Sequence, residues 1–167
     1  MSRRTSSVVF SFAALSVVAL LSSVVVGADM FSGTWTLNIA KSKYSPGPAP
    51  RSGTTILSSV DGGLKFIVDG VNAEGRKTHS EYMFRFDGRD YPQKPMLDGK
   101  PDPTGADMIS AKRVDDYTYE TTAKLKGKLL NVTKTVVSRD GKTRTNTVTG
   151  TNAQGQAVSN TVVYEKQ

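Results

Sequence analysis

From Gly33 to the C-terminus no apolar run continues for long before a glycine, asparagine or aspartate breaks it, and this rhythm constrains the fold more than any other feature. The runs are rich in Val, Ile, Thr, Tyr and Phe, residues that fit a pleated, half-buried surface. The breaks are Asp61-Gly62-Gly63, Asn72-Ala73-Glu74-Gly75, Asp115-Asp116, Lys126-Gly127, Asp140-Gly141 and Asn152-Ala153-Gln154-Gly155. Such residues accept positive φ at low cost, as tight hairpin turns require. The pattern predicts nine strands near 33–39, 53–59, 64–71, 77–86, 106–113, 116–124, 128–137, 142–150 and 156–165, each antiparallel to the next. No segment of this region sustains apolar residues at helical spacing over three turns, so an all-β domain is expected. Two stretches read as loops because prolines interrupt pairing: Ser45 to Pro50, and Asp87 to Gly105 with Pro92, Pro95, Pro101 and Pro103. A meander hides its edges most simply by curling until first and last strands meet, which points to an up-and-down barrel. A two-sheet sandwich has the same strand count and turn spacing.

The N-terminus has a different character. Arg3 and Arg4 precede an apolar stretch from Val8 to Val26 broken only by serines, and Val26-Gly27-Ala28 supplies small residues for cleavage before Asp29. This is the layout of a signal peptide over residues 1–28, leaving residues 29–167 as one exported domain, secreted or periplasmic; uncleaved, the same apolar stretch approaches the length of a membrane anchor. The chain has no cysteine, so neither a disulfide framework nor thiol chemistry is available and packing must supply the stability. Its 22 Lys plus Arg against 15 Asp plus Glu give a net charge of +7. These cations are scattered rather than clustered, which argues for a solvated basic surface and against nucleic-acid binding, while leaving room for an anionic small ligand.

The residues offer little to catalysis. In Lys77 to Phe86, strand alternation puts Tyr82, Phe84 and Phe86 on one face, and the chain's single histidine, His79, on the charged opposite face with Lys77, Glu81 and Arg85. One histidine without a partner cluster is a poor metal site. There is no nucleophile elbow, phosphate-cradling loop or His-Glu-x-x-His motif. The carboxylate pairs Asp87 with Asp90 and Asp98 with Asp102 fit turn formation better than acid/base work. The expectation is therefore a non-enzyme with neither cofactor nor metal. Threonines recur in the late strands at 133, 135, 143, 145, 147, 149 and 161. Facing water they form a plain exterior, and facing inward they line a partly hydrated cavity.

Phe31-Ser32-Gly33-Thr34-Trp35-Thr36-Leu37 resembles the opening of the calycin superfamily, the lipocalins and fatty-acid-binding proteins, whose first strand carries Gly-x-Trp. Glycine there lets the chain enter the strand tightly and tryptophan plugs the closed end of the barrel. The C-terminal Val162-Val163-Tyr164-Glu165-Lys166 is similar to the last strand of fatty-acid-binding proteins. There an arginine two residues before the tyrosine helps it hold a ligand carboxylate, and this chain has Val162 at that position. Arg85, Arg113 or Arg144 could take over the role. The resemblance implies a lipocalin-like barrel binding a small, mostly apolar ligand non-covalently, with Trp35, Phe66, Tyr82, Phe84, Phe86, Arg144 and Tyr164 as site residues. The same aromatic rings could instead fill a solid core, and the protein would then be a structural or interaction component of the cell envelope.

Overall fold

The computed structural model describes residues 29–152 and 155–167. The leader expected over residues 1–28, and Ala153 and Gln154 of the last turn, lie outside the described residues. The strands are β1 (Gly33–Lys43), β2 (Ser52–Val60), β3 (Gly63–Val71), β4 (Lys77–Arg85), β5 (Tyr91–Pro92), β6 (Met96–Leu97), β7 (Lys100–Pro101), β8 (Met108–Arg113), β9 (Thr118–Leu125), β10 (Lys128–Val137), β11 (Thr143–Thr151) and β12 (Ala157–Lys166). All belong to one antiparallel sheet in the order β5-β8-β9-β10-β11-β12-β1-β2-β3-β4-β6-β7. The nine expected strands are present as the long ones.

Three expectations need correction. The count is twelve, not nine, because the proline-rich stretch from Asp87 to Gly105 forms β5, β6 and β7. Each is only two residues long, and Pro92 and Pro101 sit on the outermost strands of the sheet, where a missing N–H costs least. The two-sheet sandwich is not formed. The sheet curls into a half-barrel in place of a fully hydrogen-bonded cylinder. First and last strands do meet, Trp35 opposite Lys166 and Leu37 opposite Tyr164, but the ladder ends at β5 and β7. Single bridges Tyr82 to Gln93 and Asp87 to Lys112 link the two flanks.

Inside and outside follow the pleat. On β4, Ser80 and Phe84 are buried while Lys77, His79, Glu81, Met83 and Arg85 are exposed, as the alternation predicts. The inner face gathers Trp35, Leu57, Leu64, Phe66, Phe84, Ile109, Ala111, Tyr119 and Val137 into one core. Phe31 seals it just before β1. It is fully buried, meets Tyr119 edge-on at 4.9 Å, and its carbonyl accepts the Trp35 Nε1–H at 2.9 Å. Gly33 makes this corner possible: its φ is +131°, and Lys166 packs where a side chain would stand. Asp29 fixes the approach by accepting the Phe31 N–H and the hydroxyls of Ser32 and Ser59.

Candidate functional site

Above this plug the half-barrel encloses a cavity of about 350 Å³. One wall is aromatic. Phe66 on β3 and Tyr82 on β4 are cross-strand partners, and their rings stack at 4.8 Å and 8°, with Phe84 5.2 Å from Phe66. The opposite wall is polar without being charged: Thr121 on β9, Asn131, Thr133 and Thr135 on β10, and Asn146 on β11. Thr135 is 1% exposed and donates its hydroxyl to Asn146 Oδ1 at 3.1 Å, which fixes that amide. Gln93, Pro95, Gly105 and Ala106, from the proline-rich segment, complete the lining. That segment is pinned by Gln93 N–H to the Asp107 carbonyl and Asp102 N–H to the Pro95 carbonyl. The Gln93 Oε1 is buried without a donor among the described residues.

Arg144 lies two residues before Asn146 on β11, outside the cavity lining. Register sets it opposite Tyr164 on β12 and Val137 on β10, and it is 2% exposed. Its guanidinium lies 4.2 Å from the Tyr164 ring centre and 5.4 Å from that of Trp35, while Lys166 Nζ lies 5.1 Å from the Trp35 ring. Proximity to the rings offsets part of the cost of burying the charge but supplies no hydrogen-bond acceptor to the guanidinium. Nε is buried with no acceptor, and no carboxylate among the described residues pairs with this arginine. The tyrosines do not supply the missing charge. Burial pushes the phenol of Tyr82 well above the usual range and raises that of Tyr119, outweighing the pull of nearby Arg144, so both stay neutral.

Of the residues read from sequence, Phe66, Tyr82 and Phe84 line the cavity, and Trp35, Arg144 and Tyr164 cluster together in the interior. Phe86 lies on the other side. It touches Phe84 and Tyr119 and lines an open hollow of about 840 Å³ with Asp29, Met30, Ser59 and Arg113. That hollow is larger and bordered mainly by turns, whereas the inner cavity is walled by strands and combines stacked rings with hydroxyls and amides, which makes it the candidate site. Among the three candidate arginines the geometry favours Arg144. Arg85 is half-exposed beside Asp61, and Arg113 lies over Phe31 and Phe86 with Asp116.

Of the polar wall, Thr133 and Thr135 belong to the inward alternative read from sequence, whereas Thr121, Asn131 and Asn146 were not read as site residues. Both alternatives for the threonines hold, on different strands: Thr133 and Thr135 face inward, while Thr145 and Thr147 stand opposite Val136 and Lys134 on the outer face. Counting alternation outward from Arg144 on β11 would have found Asn146 as an inward neighbour. His79 is exposed and bonded to Asp69, which stands between it and Thr54 across the sheet. In that row the carboxylate occupies the middle, where a nucleophilic relay needs the imidazole. The loop carboxylates are engaged in local structure: Asp87 accepts the Arg89 N–H and the Tyr91 hydroxyl, Asp98 accepts the Lys77 N–H, and Asp102 accepts the Thr104 N–H and hydroxyl.

Comparison of the chain with protein-family models, curated proteins and solved structures gives no match.

Proposed function

We propose that this is an exported, lipocalin-like carrier that holds a small, mostly apolar molecule non-covalently inside its half-barrel. The observation that carries the reading is the strand-walled cavity of about 350 Å³, with stacked rings on one side and fixed hydroxyls and amides on the other. Small-molecule sites are commonly concave and largely apolar, with a few polar groups that fix orientation. The aromatic wall of Phe66, Tyr82 and Phe84 supplies contact area, and Thr121, Thr133, Asn131 and Asn146 supply direction. Phe31 packs behind the lining residue Tyr119, and Gln93, Pro95, Gly105 and Ala106 of the pinned segment complete the lining. Export follows from the leader read over residues 1–28, and the absence of thiols suits an oxidising compartment. The reading is one of binding, supported by a lining of hydroxyls, amides and phenols that can orient a ligand.

Native mass spectrometry of the protein purified from the exported fraction tests this. The expected result is a population heavier than the bare chain by the mass of one small molecule, lost on collisional activation. A spectrum of bare chain alone, from protein that also takes up no uncharged fluorescent probe saturably, would overturn the reading.

A further inference from the structure

The lining of the inner cavity specifies the charge and the hydrogen-bonding sense of its occupant. No Lys, Arg, His, Asp or Glu side chain belongs to it. Its two ionisable groups, the phenols of Tyr82 and Tyr119, are neutral. A charged ligand would leave water for a space with no counter-charge on its walls, a cost that pairing alone recovers, so the lining selects an uncharged molecule. The polar wall offers donors. The side-chain oxygen of Asn146 already accepts the Thr135 hydroxyl at 3.1 Å, and that of Asn131 accepts the Thr133 hydroxyl at 3.5 Å. Neither amide nitrogen has an acceptor among the described residues, and both remain accessible to an occupant of the cavity they line. The two amides are not equivalent. Asn146 is held by the shorter bond, to a threonine that is itself 1% exposed, so the direction of its N–H groups is set before a ligand arrives. Register puts Asn146 opposite Thr135, and Asn131 lies four residues back along β10, about 13 Å away, so one ligand group cannot meet both. The better-fixed donor is unanswered, and its natural partner is an uncharged oxygen acceptor with no proton of its own to place.

We propose that the ligand is an uncharged carbonyl compound, its compact apolar body against Phe66, Tyr82 and Phe84 and its carbonyl oxygen accepting a hydrogen bond from the Asn146 side-chain nitrogen. This rests on the carrier reading and adds the chemical class and orientation of the ligand.

The test is displacement of bound N-phenylnaphthylamine by three competitors of one shape at physiological salt: acetophenone, α-methylstyrene, which has a methylene in place of the carbonyl oxygen, and benzoate, which carries a charge. Acetophenone displaces the probe at about fivefold lower concentration than α-methylstyrene, the scale of one neutral hydrogen bond. Benzoate needs at least about tenfold more than acetophenone, because its charge finds no partner on the walls. Asn146→Leu keeps the bulk of the side chain but removes the donor, and it brings acetophenone and α-methylstyrene within about twofold of each other. Thr147→Val, next along β11 on the exposed outer face, leaves the wild-type ratio intact. If Asn146→Leu does not fold, the order of the three competitors on the wild type alone decides. A probe that binds saturably but is displaced by acetophenone no better than by α-methylstyrene, or best by benzoate, or with a ketone advantage that survives Asn146→Leu, overturns the carbonyl assignment and leaves the carrier reading standing. If the probe itself does not bind saturably, the carrier reading fails and the assignment with it.

Discussion

Gly33 and Thr135 show how much single positions contribute to building the interior. At Gly33 a φ of +131° and the Lys166 side chain together exclude a Cβ. Gly33→Ala is expected to cost about 1–3 kcal/mol, the range for backbone strain at a non-glycine residue, with Lys166 forced off the indole. Urea unfolding followed by emission from Trp35, the only tryptophan, measures this directly. At Thr135 the buried hydroxyl donates to Asn146 on the cavity wall, so Thr135→Val loses that hydrogen bond and costs about 0.5–1.5 kcal/mol. The same change at Thr147, exposed on the outer face, stays within about 0.5 kcal/mol. Equal costs at the two threonines would contradict the assignment of inside and outside. The aromatic lining was legible because Tyr82 and Phe84 alternate with charged residues on a single strand. Arg144 was only one of three candidates, since its burial depends on the register of β11 against β10 and β12, and register is a property of pairs of strands.

Turn chemistry decides where each hairpin reverses, and it was the most legible part of the sequence. Lys126-Gly127 joins β9 to β10 with both residues at positive φ, +51° and +77°. Glycine takes this conformation freely and lysine does not, whereas asparagine tolerates it. Lys126→Asn should therefore stabilise the protein by roughly 0.5–1 kcal/mol, read as a rise of a few degrees in Tm by circular dichroism. A fall would mean that the lysine side chain has a role the turn geometry does not reveal. The segment from Asp87 to Gly105 was harder to read. Its prolines signal interrupted pairing, and pairing is indeed reduced to two-residue ladders, but those ladders bring Gln93 and Pro95 to the cavity. Pairs that short leave no periodicity in the sequence.

At the scale of the whole molecule, the sheet curls because hydrophobic alternation on nine long strands gives it one apolar face, and Trp35 and Phe31 fill the closed end. Cavity and solid core stood as alternatives in the sequence, because the same rings pack a core or line a hollow depending on how tightly the sheet coils. The loops impose a pH dependence. Asp87, Asp98, Asp102, Asp115 and Asp140 each have a carboxyl held below its ordinary value of 3.8, chiefly by hydrogen bonds from Arg89 N–H, Arg76, the Thr104 hydroxyl, Tyr117 N–H and the Ser138 hydroxyl respectively. Because the folded state holds these protons less tightly than the unfolded chain, their contribution is complete near neutral pH and disappears as pH falls below 3.8 through the depressed folded values. Tm should be level between about pH 7 and pH 5 and fall below about pH 4, and a rise on acidification would contradict this.

The central claim is that the hollow inside the half-barrel is a binding site, and the threonine methyl groups test it most directly. In a methyl-selective NMR titration with uncharged N-phenylnaphthylamine, the resonances of Thr121, Thr133 and Thr135 on the cavity wall should shift and saturate together, while those of Thr145, Thr147 and Thr149 on the outer face stay in place. Shifts confined to the outer threonines, or none at all at saturating probe, would contradict the account.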